Sequence, residues 1–398
     1  MENYYYNKPN PWQMLAYLFL IQLFIAFTAR SIAPLGLKIG EDLQLTMSQV
    51  GILPAALFLG QSIISMPAGI LTDKAGSKKI LLMIILGLSG SFFLLSFSSS
   101  FMLILFFIFL AGFGYGASHP ATNQGVNDWF NSKRRGTAMG IKQMGVTAGS
   151  ALSALLLLPA ASQFGWRTAV FIPAISLLVI GIILYLAYKE PKSPASSLTR
   201  RKPVSLPKLL THPGLLLVTL SAMLLTASQT ILNTFIVIFA YDYLQISIML
   251  AGVLLGIAEF GGALGRLTWG ILSDRLFAGK RIIVLLLISL LVAVVSFITS
   301  LLPQNTPFHL MAVIVFIFGF GASGFNGVWM NATSEIAPQS YAGTATGASI
   351  TLSSWGAILF PPVFGILIDW TGLYSIGWNF VTLLMVISIL SLLFVKES

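Results

Sequence analysis

The sequence predicts an all-α membrane protein with twelve transmembrane helices in two six-helix bundles. Three observations carry that reading. The 398 residues are 56% hydrophobic and 9% charged, with a mean hydropathy of +0.89, whereas a soluble domain carries about 25% charged residues. The apolar residues fall in near-continuous runs long enough to cross a bilayer as helices, unlike the short alternating strands of an outer-membrane barrel. The two halves of the chain also repeat one another.

In order, the runs place spans at roughly 12–34, 47–70, 79–97, 101–126, 136–159 and 167–189. The first is too long for a signal-peptide core, and no small-residue cleavage pattern follows it, so it reads as a retained span. A linker rich in proline, serine and basic residues comes next, KEPKSPASSLTRRKPVSLPK (189–208). Six further runs lie at roughly 213–239, 248–271, 281–302, 308–331, 343–366 and 375–395. The domain boundaries are therefore 1–188, 189–212 and 213–398. An even number of spans puts both termini on one side of the membrane. Nearly all loop Lys and Arg fall on that side, with Lys38 and Arg167 opposite. The positive-inside rule makes the termini and linker cytoplasmic in a multi-pass cell-membrane protein.

The repeat is visible in two places. PAGILTDKAGSKK (67–79) matches TWGILSDRLFAGKR (268–281), between spans 2 and 3 and again between spans 8 and 9. RRGTAMG (134–140) matches YAGTATG (341–347), at the starts of spans 5 and 11. Related segments about two hundred residues apart suit the parallel-repeat plan of transporters. Gly69 and Gly270 would let helices approach closely. Asp73 and Asp274 would accept from exposed helix N-termini in the neighbouring half. Lys74, Gly76, Lys78 and Arg275 complete the two loop motifs, whose basic members can meet anionic headgroups. Their role would be conformational.

The first loop, with its degenerate second copy and the twelve-span map, resembles the cytoplasmic loop motif of the major facilitator superfamily over essentially the whole chain. The resemblance implies two bundles rocking about a central site that opens alternately to each side. The string Gly265-Arg266-Leu-Thr-Trp-Gly270 with Asp274 further resembles span 8 of the organic-anion, monocarboxylate and oxalate–formate carriers. In those relatives the matching arginine contacts the substrate carboxylate.

Charges inside the membrane cost several kcal/mol and mark sites. Glu259 lies about 16 Å into span 8, and Arg266 follows nearly two turns later on the same face. Arg266 reads either as a brace for loop residues and backbone carbonyls or as the positive pole of an anion site. Lys142, about 9 Å deep on span 5, either joins Arg266 at a central cavity or snorkels to the headgroups. Arg30, placed near the outer end of span 1, either snorkels outward or draws anions inward. Tyr115, Gln143, Asn233 and Asn326 are candidate substrate-binding neighbours, each equally able to serve as helix–helix glue.

Glu259 is the preferred proton carrier, because substrate arriving at Arg266 would free the acid to take a proton. His119, beside Pro120, is a second proton candidate and alternatively a structural residue at a proline kink. No metal-ligand cluster, activated nucleophile or phosphate loop appears, so no enzyme activity, metal or cofactor is called for. The chain has no cysteine. The reading is a secondary carrier for a small organic anion, most plausibly a monocarboxylate, with proton symport. Its partners would be the anion, protons and lipid, with no nucleic acid, and the chain would act as a monomer. A proton-driven multidrug or metabolite efflux antiporter is the alternative. It is disfavoured by the lack of acids inside spans 1 and 4 and by Lys142, which would repel cationic drugs.

Overall fold

The computed structural model describes residues 10–191, 212–336 and 342–395. Lys8, most of the linker and Lys396 lie outside them. Twelve spans are present among the described residues: Pro11–Leu43, Met47–Ala75, Ser77–Ser96, Phe101–Trp129, Arg134–Phe164 and Trp166–Ala187, then Pro213–Tyr243, Ile248–Arg275, Arg281–Ser300, Phe308–Ile336, Ala345–Thr371 and Tyr374–Leu393. The face where span 1 begins and span 6 ends is called the linker side here, and its opposite the far side.

Span 1 departs from the sequence expectation. It continues to Leu43 as two helical segments, Pro11–Ala29 and Ile32–Leu43. Pro34 falls in the first turn of the second segment, where a missing N–H leaves no bond unmade. Arg30 therefore sits at the break well inside the span, not near its outer end, which removes the snorkelling reading. Span 10 is broken in the same manner, with Phe308–Ala322 and Asn326–Ile336 separated by a turn at 323–325.

Two apolar cores form. One joins residues from Met14 to Tyr188 in spans 1–6. The other joins residues from Val218 to Val395 and also recruits Leu37, Val50, Ala154 and Leu158 from the first half. These recruits all belong to far-side segments. Gly51 approaches the Pro361 backbone so closely that an added Cβ would lie 2.5 Å from its carbonyl oxygen. Gly252 meets the Ala154 carbonyl, 2.9 Å from where a Cβ would stand. On the linker side, Gly69, Gly136, Gly140, Gly270 and Gly347 have nothing within 4 Å of a would-be Cβ. The halves are closed against each other on the far side and splayed on the linker side.

That geometry corrects the loop-motif expectation for this conformation. Gly69 and Gly270 make no close helix approach. Asp73 is exposed, and Asp274 pairs with Arg281 of its own half. Among the described residues, no hydrogen bond joins Asp73 or Asp274 to a helix N-terminus of the other half. Gly76 and Lys78 instead contact the end of span 6. Gly76 has φ +87° and stands against the Glu190 carboxylate, and Lys78 donates to the Tyr188 carbonyl at 2.5 Å. Lys74 and Arg275 are exposed.

Candidate functional site

The stretch GGALGRLTWG lays Gly261, Gly262 and Gly265 along one face of span 8. Without side chains there, span 10 can come to backbone contact, and Gly319 of span 10 returns the fit against the Ala258 carbonyl. The turn at 323–325 falls within this seam. A helix break frees carbonyls from intrahelical bonding, and inside a membrane they need other donors. Span 8 supplies them. Trp269 Nε1 donates to the Phe320 carbonyl at 3.0 Å, and Arg266 Nε donates to the Ser323 carbonyl at 3.0 Å. Gln229 of span 7 donates to Ser323 Oγ at 3.0 Å, and Asn326 Nδ2 donates to the Ser323 carbonyl at 3.3 Å.

Arg266 makes the bracing contact with a backbone carbonyl. Its terminal NH1 is buried with no hydrogen-bond partner. A guanidinium carries five N–H donors in a rigid fork suited to carboxylate or phosphate. Here Nε is fixed by the protein and NH1 is unpaired. Leaving such a donor buried and unpaired costs more than an average hydrogen bond contributes.

Glu259 lies two turns toward the far side and is 3% exposed. Its Oε1 accepts from Asn233 Nδ2 at 2.8 Å and from Ser150 Oγ at 2.7 Å. Asn233 belongs to the same half, whereas Ser150 belongs to span 5 of the other, so this carboxylate joins the halves. Arg30 and Arg266 both act on Glu259 electrostatically, one from each half. Sequence reasoning missed Ser150, whose only signal was a small polar residue in a glycine-rich span.

Arg30 is held by Tyr115. Its Nε donates to the phenol oxygen at 3.0 Å, and its guanidinium carbon lies 5.7 Å from that ring and 5.6 Å from the Phe58 ring. Arg30, Phe58 and Asn233 line one pocket with Pro54, Thr230 and Thr234. Phe58 gave no signal in the sequence beyond apolarity.

Lys142 is 2% exposed, which rules out snorkelling, and its amine donates to Asn123 Oδ1 at 2.8 Å. No carboxylate pairs with it among the described residues. His119 packs edge-on to Tyr115 with ring centroids 5.9 Å apart, and Lys142, Arg30 and Arg266 all act on it electrostatically. Gln143 is half-buried beside Lys142. The structure thus brings Arg30, Tyr115, Asn233, Glu259 and Arg266 around one interior region, with His119 and Lys142 adjoining it and Asn326 behind Arg266. Among the described residues no group of three or more His, Cys, Asp or Glu is placed to hold a metal.

The sequence profile of the Major Facilitator Superfamily matches residues 18–361. An uncharacterized MFS-type transporter of Mycobacterium tuberculosis is 28% identical over 273 residues, covering 68% of this chain and 60% of that protein. This chain thus matches less than two thirds of that relative's length. A probable hexose phosphate transport protein of Chlamydia trachomatis is 25% identical, covering 96% of this chain and 90% of that one. The hexuronate transporter of Bacillus subtilis is 24% identical, covering 85% and 83%. The crystal structure of a bacterial homolog to the human lysosomal transporter Spinster, inward-facing and occupied, superposes with a TM-score of 0.77. At 19% identity over 98% of this chain and 97% of that one, the likeness shows the fold.

Proposed function

Because this chain belongs to the major facilitator superfamily, we propose that it is a secondary active carrier for a small organic anion, moved across the cell membrane by alternating access. The observation that carries this reading is the buried Arg266 NH1, left without a partner while Nε is fixed on the Ser323 carbonyl. Arg30 faces the same region from the other half with its Nε likewise occupied. An anion reaching both would answer two cations whose only buried acidic neighbour among the described residues is Glu259. A carboxylate head fits the fork, and the relatives named for hexuronate and hexose phosphate make hydroxylated acids and sugar phosphates the first candidates. A hexuronate carries one carboxylate, so a monocarboxylate stays within this proposal, although the relatives named above are not monocarboxylate or oxalate–formate carriers.

Proton symport through Glu259 belongs to the same proposal. A proton on His119 would stand among three cations, whereas Glu259 neutralised by a proton leaves Arg30 and Arg266 free for substrate. With the basic side cytoplasmic, this conformation is inward-open. The test is a thermal-shift screen of the purified protein against hexuronates, aldonates, short monocarboxylates and sugar phosphates, followed by uptake of the best ligand. A bound ligand raises apparent stability. Arg266→Gln should remove the shift and the uptake while the protein stays folded. Wild-type shifts by lipophilic cations and by none of the anions would overturn the reading in favour of drug efflux.

A further inference from the structure

Span 2 begins on the far side at Met47, behind Thr46. The first N–H groups of a helix lack intrahelical acceptors, so each needs a partner from elsewhere. Two partners are local. Gln49 N donates to Thr46 Oγ1 at 3.3 Å, and Gln49 Oε1 accepts from Thr46 N at 3.0 Å, completing a capping box. The other two come from the opposite half. Met47 N donates to Asp369 Oδ1 at 2.8 Å, and Ser48 N donates to Asp369 Oδ2 at 2.9 Å. Asp369 sits near the end of span 11, more than three hundred residues away in sequence.

We propose that Asp369 is the far-side latch of this protein: its carboxylate, spread across two N–H groups of span 2, holds the two halves shut on that side. Three features support a built contact. Both carboxylate oxygens are used on successive backbone donors, with the negative charge at the positive end of the helix dipole. The backbones on which the latch rides are drawn together by glycines, Gly51 against Pro361 and Gly365 against Met47, so the carboxylate is delivered at bonding distance. Lys38 stands over the Tyr241 ring at 6.0 Å, a second contact between the halves on the same side. When the far side opens, Asp369 must leave, and Met47 N and Ser48 N must find water. The latch therefore biases the rocking equilibrium toward the state described here. On the linker side, the corresponding Asp274 is engaged by Arg281 of its own half.

The chain has no cysteine, so spin labels can be placed without removing native thiols. Cysteines at Phe164 and Leu373, both exposed on the far side and in opposite halves, report far-side opening by pulsed electron resonance. Lys189 and Leu276, both exposed on the linker side, report the reverse motion. The labelled parent should show a short far-side and a long linker-side distance. Asp369→Asn removes the charge at similar size, and the far-side-open population should rise about tenfold, as for loss of a charge-assisted bond pair. Met47→Pro leaves Asp369 intact and deletes one of its two donors at a helix position where proline is tolerated. It should shift the same distances in the same direction by a smaller factor. Unchanged distances in either folded variant, or a shift toward far-side closure, would overturn the latch. The distances are read without substrate, so the outcome is separate from the anion assignment.

Discussion

Gly262→Ala tests the seam that positions Arg266. A Cβ at residue 262 would stand 2.5 Å from Ser323 Cβ and 3.3 Å from the Gly319 carbonyl oxygen. Ser323 Cβ is fixed to the backbone and cannot rotate away, so spans 8 and 10 must separate by about 1 Å to reach ordinary packing distance. That displacement takes the 3.0 Å bond from Arg266 Nε to the Ser323 carbonyl to about 4 Å, beyond hydrogen bonding. Overpacking costs about 1–3 kcal/mol and the lost charged hydrogen bond about 1.5–3. Alanine returns about 1 kcal/mol of helix propensity. The net expectation is a loss of about 1.5–5 kcal/mol, together with weaker anion binding, because the guanidinium loses its fixed edge. The control lies eight residues along the same helix. Gly270 has nothing within 4 Å, so Gly270→Ala should be neutral or gain up to about 1 kcal/mol. Thermal unfolding of both purified variants, with and without the best anion, reads the difference. A Gly262→Ala protein as stable as Gly270→Ala would refute the seam.

Two further outcomes follow from other contacts. Glu259→Gln keeps an oxygen to accept from Asn233 and Ser150, so substrate counterflow should persist while accumulation driven by an inward proton gradient is lost; undiminished acid-driven accumulation in reconstituted vesicles would reject Glu259 as the proton carrier. Gly76→Ala adds a Cβ 2.8 Å from Glu190 Oε1 at a φ of +87°, and should lower stability by about 1–3 kcal/mol, seen as a reduced unfolding temperature.

The twelve spans were legible because a bilayer demands long apolar helices, and only breaks inside a span escape that rule. Span 1 illustrates the failure. Arg30, Pro34 and Lys38 made the run appear to end, yet the chain re-entered a helix at Ile32 and carried Arg30 into the interior. Arg266 was legible as a buried charge beside glycines. Its division between a carbonyl and an empty donor was not, because that depends on where span 10 breaks, and FGASGF gives only a weak turn signal. Asp369 was passed over for a different reason. As one acid at a span end it resembles any solvated charge, and its partners are backbone N–H groups that no residue pattern marks.

The proposed anion carries a consequence for how the charged groups behave when the halves move. Arg266 is tied within its own half, to span 10, and Arg30 within its own, to Tyr115 of span 4. In the proposed alternating-access cycle, each cation would therefore travel with its half. Closing the linker side would bring more low-dielectric protein around two like charges, which raises their mutual repulsion. Glu259, bonded across the halves to Ser150 in this state, offsets one positive charge while ionised. On the proposed reading, its protonation would leave Arg30 and Arg266 without that counter-charge, and a bound anion would make closure favourable. A cationic or neutral cargo leaves that repulsion in place. A carrier built this way should resist closing when empty and protonated. That property would couple the proton to the anion without direct contact between them.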